Sequence, residues 1–407
     1  MNYDQKRWVF LAACIVINIC IGFGYAWSVF QKPLMTAFGW DAVAVSLGFS
    51  IIMGVSALPQ SLAGKALDYF APKQIILVGG IMVGLGIFNL GIVQSLLHLY
   101  IAGAMVGLGM GIVYPGTVAN MVKFFPERRG LVSGLLAAGM GSGAVIIAPL
   151  ASVFIDLWGV LGTLKVLGIV FSVIIFLLSR LIQTAPEGYC PTGVVLPAAA
   201  QSGRGNDKDW REMLATPLFY LIAAIFILSA SAGIMVMGHA SPIAQRLLGM
   251  SPQEAAVVVG FIALANTLGR IFWGALSDKI GRFPVMLIMF VVMGSSLFAL
   301  SQVTIYGAVL LALLFVALSY GGFMGMLGSV TADAFGARHL GVNFGVMFLS
   351  LGLASFIGPR MAAVIAQNNG GDYFLAFLVA AAFSAVGVVL TSIKLIGDRR
   401  VSPVVGK

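Results

Sequence analysis

The sequence predicts an all-α integral membrane protein whose twelve transmembrane helices form two six-helix, pseudo-symmetric bundles. Three observations lead to this fold class. The 407-residue chain is 60% hydrophobic and only 9% charged, whereas soluble globular proteins carry about 25% charged residues. Its apolar runs have the length of membrane-crossing helices, about 20 residues each. A short charged motif recurs in the two halves of the chain at an offset of 210 residues.

The apolar runs divide the chain into twelve spans. A mean hydropathy of +1.04 supports this division, and helix-length runs exclude the ten-residue alternating strands of an outer-membrane barrel. Most connectors are short, but 183–216 is long and mixes Pro, Gly, Ala and charges, so we expect a cytoplasmic linker between bundles 1–182 and 217–407. The predicted spans are 8–32, 42–63, 74–94, 98–122, 130–155, 160–182, 217–238, 253–276, 284–302, 306–330, 341–366 and 373–396.

The net charge of +9 indicates membrane topology, and we expect no nucleic-acid partner. With the N-terminus in the cytoplasm, all but five of the 23 Lys and Arg residues lie on the cytoplasmic side. Such an asymmetry orients membrane proteins with their positive loops inside. It predicts a multi-pass protein of the cell's inner (plasma) membrane with both termini cytoplasmic. The five exceptions are Lys32, Lys165 and Arg246 on the outer side and Arg270 and Arg360 within spans.

The repeated motif follows spans 2 and 8. Gly64 and Asp68 in the first copy match Gly274 and Asp278 in the second, and Phe125–Arg129 before span 5 matches Phe335–His339 before span 11. Two similarly oriented copies of a six-helix unit are typical of transporters that rock about a central site. We expect a conformational latch formed by Gly64, Asp68, Arg128, Arg129, Gly274, Asp278, Gly281 and Arg282.

Each type of latch residue has a physical role. The paired glycines allow helix backbones to approach closely, and Gly281 permits a tight turn. The two aspartates lie near the N-termini of spans 3 and 9, where an anion is favoured. They are also expected to pair with Arg128, Arg129 or Arg338 across the cytoplasmic face. The alternative is that these charges only mark topology.

Arg270 is the strongest candidate for a ligand-binding residue. It lies eight residues before Asp278, about 12 Å along a helix axis, and therefore near mid-membrane. An arginine at that depth costs at least ~2.5–3.5 kcal/mol on insertion scales, and its planar fork suits a carboxylate or phosphate. Asn266 lies one turn earlier on the same helix face. The alternative is a structural arginine that snorkels to headgroups or satisfies backbone carbonyls.

The motif after span 8 resembles the signature of the major facilitator superfamily, and this resemblance implies that superfamily's fold for the whole chain. Lys123–Gly139 is similar to the span-5 signature of the monocarboxylate transporter family, and Gly22–Trp27 to its span-1 signature. The oxalate:formate antiporter belongs to the same family, and its pattern is similar to Gly111–Tyr114 and to Trp273–Arg282 with Arg270. The chain is identified as a bacterial member of this family.

The resemblance implies further site residues. The positions of Tyr25 and Tyr114, and an aromatic at the position of Tyr320, line the cavity in the family, although ordinary helix packing is the alternative for each. His239, at the end of span 7, is a candidate proton carrier because imidazole titrates near pH 6.5. The alternative for His239 is an interfacial histidine with no such role.

Differences from the family narrow the expected substrate. Human monocarboxylate transporters carry Asp where this chain has Asn266, and their span-1 lysine corresponds to Val29. The second cation of the oxalate:formate antiporter corresponds to Leu351. One fixed positive charge therefore remains in the cavity, which matches a monocarboxylate better than a dicarboxylate.

These observations support three hypotheses of function. The first is a secondary active carrier of lactate-like monocarboxylates, proton-coupled and functional as a monomer, with Arg270 as counter-charge. The second is an anion exchanger of the oxalate:formate type. The third is a membrane receptor or enzyme that does not transport, which is disfavoured because its three histidines are scattered and form no acid–base set. Its three cysteines show no metal spacing, so neither a cofactor nor a metal is expected.

Overall fold

A computed structural model describes residues 3–186, 188–192, 207–303, 305–370 and 372–401 of the chain, and this part is built from helices. The described residues include sixteen α-helices and one 3-10 helix, Gly22–Ala26. The α-helices are α1 Tyr3–Ile21, α2 Trp27–Phe38, α3 Ala42–Ala57, α4 Gln60–Ala66, α5 Pro72–Leu90, α6 Leu96–Phe124, α7 Arg129–Gly141, α8 Gly143–Ser179, α9 Trp210–Leu214, α10 Pro217–Gly238, α11 Ala240–Leu248, α12 Pro252–Ile280, α13 Arg282–Gln302, α14 Tyr306–Phe335, α15 Leu340–Asn368 and α16 Phe374–Val401.

The predicted twelve-span organisation is confirmed. Eleven stretches of the described chain are long and apolar enough to cross a membrane, and the longest, Arg129–Ser179, has 51 residues. A straight helix of that length would measure about 77 Å, more than twice the bilayer core of about 30 Å. Gly159 divides it by leaving the helical conformation, with φ 68° and ψ 170°. This stretch therefore supplies spans 5 and 6, and the predicted connector between them is reduced to one bend.

Four spans are broken within the bundles. Span 1 changes from α1 through the 3-10 helix to α2, span 2 bends before Gln60, span 5 is interrupted at Ser142 between α7 and α8, and span 7 is interrupted at His239 between α10 and α11. The first break follows from a close crossing, because a Cβ on Gly22 would lie 2.3 Å from the carbonyl oxygen of Met140. Span 1 consequently reaches Phe38, beyond its predicted end at residue 32.

The two bundles repeat one packing pattern. In the first, α5 packs against α6 and α8; in the second, α13 packs against α14 and α16. The bundles meet through equivalent helices, since α7 contacts α12 and α15 contacts α4. We call the end of the molecule where α6 ends and α7 begins the proximal face, and the opposite end the distal face. The proximal face is the one predicted to be cytoplasmic.

The ends of α12 are well defined, and they set the height of Arg270. Ser251 caps its N-terminus by accepting the N–H of Glu254 at 3.3 Å, while Glu254 accepts the N–H of Ser251 at 2.8 Å. This reciprocal capping satisfies two otherwise unpaired donors. At the other end, Gly281 has φ 94°, a conformation that L side chains rarely adopt. This geometry accounts for the predicted tight turn at Gly281.

Both ends of the long connector lie on the proximal face. The side chain of Asn120 donates to the carbonyl of Gln183 at 2.8 Å and accepts the N–H of Ala185 at 3.0 Å. At the other end, Asn343 donates to the carbonyl of Lys208 at 2.8 Å. Of the predicted linker 183–216, residues 187 and 193–206 lie outside the described residues. The linker also contains α9, which was not predicted.

Tyr189 ties the connector to the N-terminus by donating its hydroxyl to the carboxylate of Asp4. Burial, together with this hydrogen bond, raises the pKa of Tyr189 to about 12. Its hydroxyl therefore remains a donor throughout the physiological pH range.

Replacing Gly168 with alanine tests the close packing inside the first bundle. A Cβ there would lie 2.5 Å from the backbone nitrogen of Phe88 and 2.7 Å from the carbonyl oxygen of Gly84, which cannot swing away. Overpacking costs ~1–3 kcal/mol, against the ~1 kcal/mol that alanine gains over glycine in a helix. We expect Gly168→Ala to lower the apparent melting temperature of the purified protein.

The matched control is Gly260→Ala, since a Cβ on Gly260 in α12 meets nothing within 4 Å. It should melt at or above the wild-type temperature. Equal melting temperatures for the two variants would contradict the packing described for α5 and α8.

Candidate functional site

Arg270 is held in the centre of the molecule by acceptors from both bundles. Its side chain is buried, with 5% exposure. Nη1 donates to the carbonyl of Ala137 on α7 at 2.6 Å, while Nε and Nη2 donate to Oδ1 of Asn266 at 3.3 and 3.1 Å. Both acceptors are neutral, so these contacts orient the guanidinium without compensating its charge. Gly141 provides its space, because a Cβ there would lie 2.8 Å from Cζ of Arg270.

Asn266 connects Arg270 to α14. Its Nδ2 donates to the carbonyl of Ala317 at 3.2 Å, while its oxygen accepts two bonds from Arg270. The carboxamide orientation is therefore set by one donor and one acceptor contact. Asn266 thus fixes the position of the guanidinium, and the expectation from its place on the same helix face, that it also reaches the ligand of Arg270, stays a prediction.

The backbone around Arg270 is rigid because glycines bring neighbouring helices into contact with α12. A Cβ on Gly134 of α7 would lie 2.1 Å from the carbonyl oxygen of Arg270, and one on Gly325 of α14 would lie 2.6 Å from it. Small residues permit such approaches between membrane helices. α12 is thus held between α7 of one bundle and α14 of its own.

Three tyrosines converge on the same region from different spans. Tyr25 belongs to the 3-10 segment of span 1 and is 38% exposed, whereas Tyr114 on α6 is 5% exposed. Tyr114 and Tyr320 each lie within electrostatic range of both Arg270 and Tyr25. Gly233 makes room for Tyr320, because a Cβ there would lie 2.4 Å from its ring. Spans 4 and 10 therefore contribute hydroxyl groups near the guanidinium on span 8, and span 1 contributes Tyr25 beside those two tyrosines.

Three aromatic side chains, Tyr114, Phe344 and Phe348, pack together and form what we call the aromatic wall. The ring of Tyr114 packs edge-on against Phe344 at 5.6 Å and Phe348 at 6.4 Å between centroids. Both phenylalanines belong to α15 of the second bundle, so the wall spans the junction between bundles. Sequence reasoning did not single them out, because phenylalanine in an apolar helix carries no signal that separates a cavity wall from core packing.

His239 lies apart from the other predicted site residues. It ends α10 six residues after Gly233, about 9 Å farther along the axis towards the distal face. Its Nδ1 lies 3.2 Å from the carbonyl of Met235, and its ring centroid is 5.6 Å from that of Tyr373. These neighbours fit the alternative stated for it, an interfacial histidine at a helix break.

A network of charges joins the bundles at the proximal face. Arg129 of α7 donates to Asp333 of α14 at 2.7 Å, and Arg282 donates to both Asp333 and Asp278 at 2.7 Å. These side chains are only 7–11% exposed. The carboxylate of Asp278 also accepts the N–H groups of Gly130 and Leu131 at 2.8 Å. It therefore caps the N-terminus of α7, where a helix favours an anion.

The expected latch pairings are corrected by this arrangement. Asp278 pairs with Arg282 of its own bundle and with the backbone of α7, and it caps span 5 where span 9 was predicted. Asp68 lies 3.8 Å from His339. Arg128 lies over the ring of Trp8 at 5.9 Å.

Asp333 was missed, although it is the one acidic residue in the α14 sequence. An isolated acid in an apolar helix is the same signal that identified Arg270. Its partner Arg129 could not be chosen from sequence, because a separation of 204 positions along the chain leaves the approach of α7 to α14 undefined.

The glycines of the latch lie at backbone contacts between bundles. A Cβ on Gly274 would lie 2.4 Å from the carbonyl oxygen of Gly130, and one on Gly64 would lie 2.1 Å from that of Gly341. Farther from this face, a Cβ on Gly54 of α3 or Gly352 of α15 meets nothing within 4 Å. The two bundles are thus closed together at the proximal face.

Comparisons with known proteins agree with this architecture. A sequence model of the Major Facilitator Superfamily matches residues 11–266 and 225–406. The uncharacterized MFS-type transporter YhjX of Escherichia coli strain K12 is 31% identical over 364 residues, covering 87% of each chain. The oxalate:formate antiporter of Oxalobacter formigenes is 29% identical over 95% of this chain and 91% of its own. Human monocarboxylate transporter 12 is 24% identical over 91% of this chain and 77% of its own.

Solved structures share the fold at low identity. The proton:xylose symporter XylE superposes with a TM-score of 0.77 at 13% identity, covering 96% of both chains. The human organic anion transporter MFSD10 gives a TM-score of 0.72 at 13% identity, over 96% of this chain and all of that one. The predicted fold and the resemblance to these transporter families are confirmed.

Replacing Asp333 with asparagine tests the charge network. The substitution removes the carboxylate that Arg129 and Arg282 share, and breaking one partner of a buried ion pair costs ~3–5 kcal/mol. We expect Asp333→Asn to lower the apparent melting temperature by several degrees, measured by intrinsic fluorescence of the purified protein.

Asp156→Asn is the matched control, since Asp156 is exposed on α8 and the charge change is identical. It should melt like the wild type. If the two variants lost the same stability, the buried network would not be what holds the proximal face together.

Proposed function

This chain belongs to the Major Facilitator Superfamily, and we propose that within it the protein is a secondary active transporter of small monocarboxylates such as lactate or pyruvate. The observation that carries the proposal is the position of Arg270. Its permanent charge lies where several spans meet, and its hydrogen-bond acceptors among the described residues are neutral. A carboxylate is the complementary ligand, because the planar guanidinium can donate two parallel hydrogen bonds to it.

Binding proceeds by exchange of acceptors on Arg270. The incoming carboxylate replaces the carbonyl of Ala137, while Asn266 keeps its contacts to Ala317 and to the guanidinium and so maintains the orientation of the fork. A charged acceptor binds a guanidinium about twice as strongly as a neutral one. The exchange is therefore favourable even though one existing hydrogen bond is lost.

The rest of the site suits a short organic acid. The hydroxyls of Tyr25, Tyr114 and Tyr320 offer hydrogen bonds to the carboxylate or an α-substituent. The wall of Tyr114, Phe344 and Phe348 accommodates a short apolar chain. One fixed cation matches one negative charge, so a monocarboxylate is preferred to a dicarboxylate. The sequence similarity to the oxalate:formate antiporter and to monocarboxylate transporter 12 supports this substrate class.

Transport follows from rocking of bundles 1–182 and 217–407 about the site, with 183–216 as linker. The conformation closed at the proximal face is held by the latch and by the bond from Arg270 to Ala137, since that bond joins the bundles. A carboxylate that displaces Ala137 removes one of these contacts and lowers the cost of opening. Substrate occupancy is thereby coupled to the conformational change.

We propose the membrane orientation of the protein from the distribution of its Lys and Arg residues. The protein is a monomeric multi-pass protein of the bacterial inner membrane, with both termini and the proximal face in the cytoplasm. Uptake is coupled to protons, carried on the substrate, on an ordered water or on His239.

A specific observation favours a second candidate, the anion exchanger. Because the acceptors of Arg270 are neutral, the empty carrier would carry a bare guanidinium through the conformational change. Exposing such a charge to the apolar region costs at least ~2.5–3.5 kcal/mol. A carrier that crosses only with bound carboxylate avoids this cost and exchanges one anion for another.

Replacing Arg270 with alanine tests the site. The variant should lose more than tenfold in initial uptake of labelled lactate into proteoliposomes, because hydrogen bonds to a charged partner contribute ~1.5–3 kcal/mol. Arg360→Ala is the control, since Arg360 is also a cation within a span but is exposed. It should retain uptake. Full transport by Arg270→Ala would refute the assigned binding site.

Vesicle loading distinguishes the two transport modes. For proton symport, an inward proton gradient should accelerate lactate uptake into empty proteoliposomes. For exchange, uptake should require internal lactate or another carboxylate and be insensitive to the gradient. Gradient-independent uptake that depends on preloading would overturn the symport proposal while leaving the carboxylate site intact.

A further inference from the structure

The repeat creates two equivalent contacts at the proximal face, and their chemistry differs. Arg129 and His339 are 210 residues apart, as are Asp68 and Asp278. Asp278 lies at the N-terminus of α7, beside Arg129; Asp68 lies at the N-terminus of α15, beside His339. One contact thus contains a permanent cation, and the other contains a group whose charge depends on pH.

The second contact, between Asp68 and His339, lies where the two bundles meet at the proximal face. Nδ1 of His339 is 3.8 Å from Oδ1 of Asp68, and their side chains are 31% and 36% exposed, so protons reach them from solution. Asp68 follows α4 of the first bundle, and His339 precedes α15 of the second. The backbones of Gly64 and Gly341 touch at the same place, since a Cβ on Gly64 would lie 2.1 Å from the carbonyl oxygen of Gly341.

We infer that His339 and Asp68 form a proton-sensitive latch that holds the proximal face closed when the solution on that side is acidic. Protonation places a positive charge 3.8 Å from a carboxylate of the opposite bundle. The resulting ion pair exists only while the bundles are together. Closure is therefore strengthened as pH falls through the range where imidazoles titrate, about 5 to 8, and weakened as pH rises.

Other charges around His339 influence how strongly its protonation stabilises closure of the proximal face. The N-terminus of α15 disfavours a cation there, and Lys123 lies close by, donating to the carbonyl of Arg338 at 3.1 Å. Among the described residues, Asp68 is the carboxylate within salt-bridge distance of His339. Among the described side chains, the charged ones at the proximal ends of the elements packed against α15 and in the adjoining connector and loop are Lys65, Asp68, Lys123, Asp207, Lys208, Asp209, Arg211, Glu212, Asp333, Arg338 and Lys394.

The latch gives the carrier a response to proton load. A partly exposed ion pair changes an equilibrium by up to about fivefold. With the proximal face in the cytoplasm, as proposed above, acidification of the cytoplasm slows opening to that side and limits further entry of acid. This consequence rests on the proposed function, whereas the latch itself depends only on the bundles separating at the proximal face.

Thiol labelling of a buried position measures the open population without substrate. Ser133 on α7 is 2% exposed and faces Gly328 of α14, so a cysteine there reacts only when the bundles separate. Ser133→Cys is introduced after Cys14, Cys20 and Cys190 are replaced by serine. Its maleimide labelling rate is measured in nanodiscs at pH 8 and pH 5.5. Dividing by the rate in the same protein with His339→Gln cancels the pH dependence of the thiol.

We expect this ratio to fall by about two- to fivefold between pH 8 and pH 5.5. Asp68→Asn should remove the fall, and His339→Arg should make labelling slow at both pH values, because it reproduces the charge of Arg129. His339→Gln and His339→Arg replace the same residue but should label at different rates, so an equal change in both variants would indicate misfolding. A ratio that does not change with pH, or the same fall with Asp68→Asn, would overturn the latch.

The labelling test of the latch and the uptake tests of the proposed function can fail independently of each other. Failure of the labelling test leaves lactate uptake and the Arg270 site untouched. Absence of uptake together with the expected labelling refutes the proposed function and leaves the latch in place.

Discussion

The guanidinium of Arg270 is buried among apolar helices and remains charged at any physiological pH, because arginine cannot be deprotonated there. The surrounding helices are arranged to accommodate it. Gly141 leaves space for the group, Asn266 orients it, and the carbonyl of Ala137 reaches it from the opposite bundle. None of these neighbours neutralises it. The bond to the backbone carbonyl of Ala137 also fits the structural alternative stated for Arg270, so its carboxylate-binding role stays a prediction.

The bond from Arg270 to Ala137 connects the central site to the closure of the proximal face. It lies two turns along α7 from Arg129, whose side chain pairs with Asp333 of the second bundle. α7 therefore contributes both a charged contact at the face and a neutral contact at the site. Because both contacts join the same two bundles, a ligand that competes for one of them affects the other without needing a longer path.

The proximal face also shows how a duplicated unit can diverge. Asp278 caps α7 and belongs to a buried network with two arginines, whereas its counterpart Asp68 has a partly exposed histidine. The buried network favours closure at every pH at which its carboxylates are ionised. The connector ends at this face as well, where Asn120 and Asn343 fix its two ends through main-chain groups. Closure, pH response and the link between bundles are thus concentrated at one end of the molecule.

Sequence alone determined the helical class and the number of spans, and it placed Arg270 eight residues before Asp278 on one helix. These depend on local properties, namely apolar run length and the spacing of residues along one helix. The repeat also identified which glycines and aspartates lie between the bundles, since equal offsets imply equivalent positions. The sequence could not identify which residues pair with each other between the bundles. Asp333 joins Arg129 across 204 residues, and Asp278 caps α7 rather than span 9, because contacts between bundles depend on how twelve helices pack together.

The tertiary structure alone decided which groups face Arg270. Tyr114 and Tyr320 come from two spans, and only the packing of those spans places both of them within electrostatic range of Arg270 and of Tyr25. His239 carries the same polar signal in sequence, yet a helix break places it towards the distal face beside Tyr373. Spacing along a helix fixes depth in the membrane, but the direction in which a side chain points across the bundle is set by neighbouring helices. Periodicity within a single span contains no information about those neighbours.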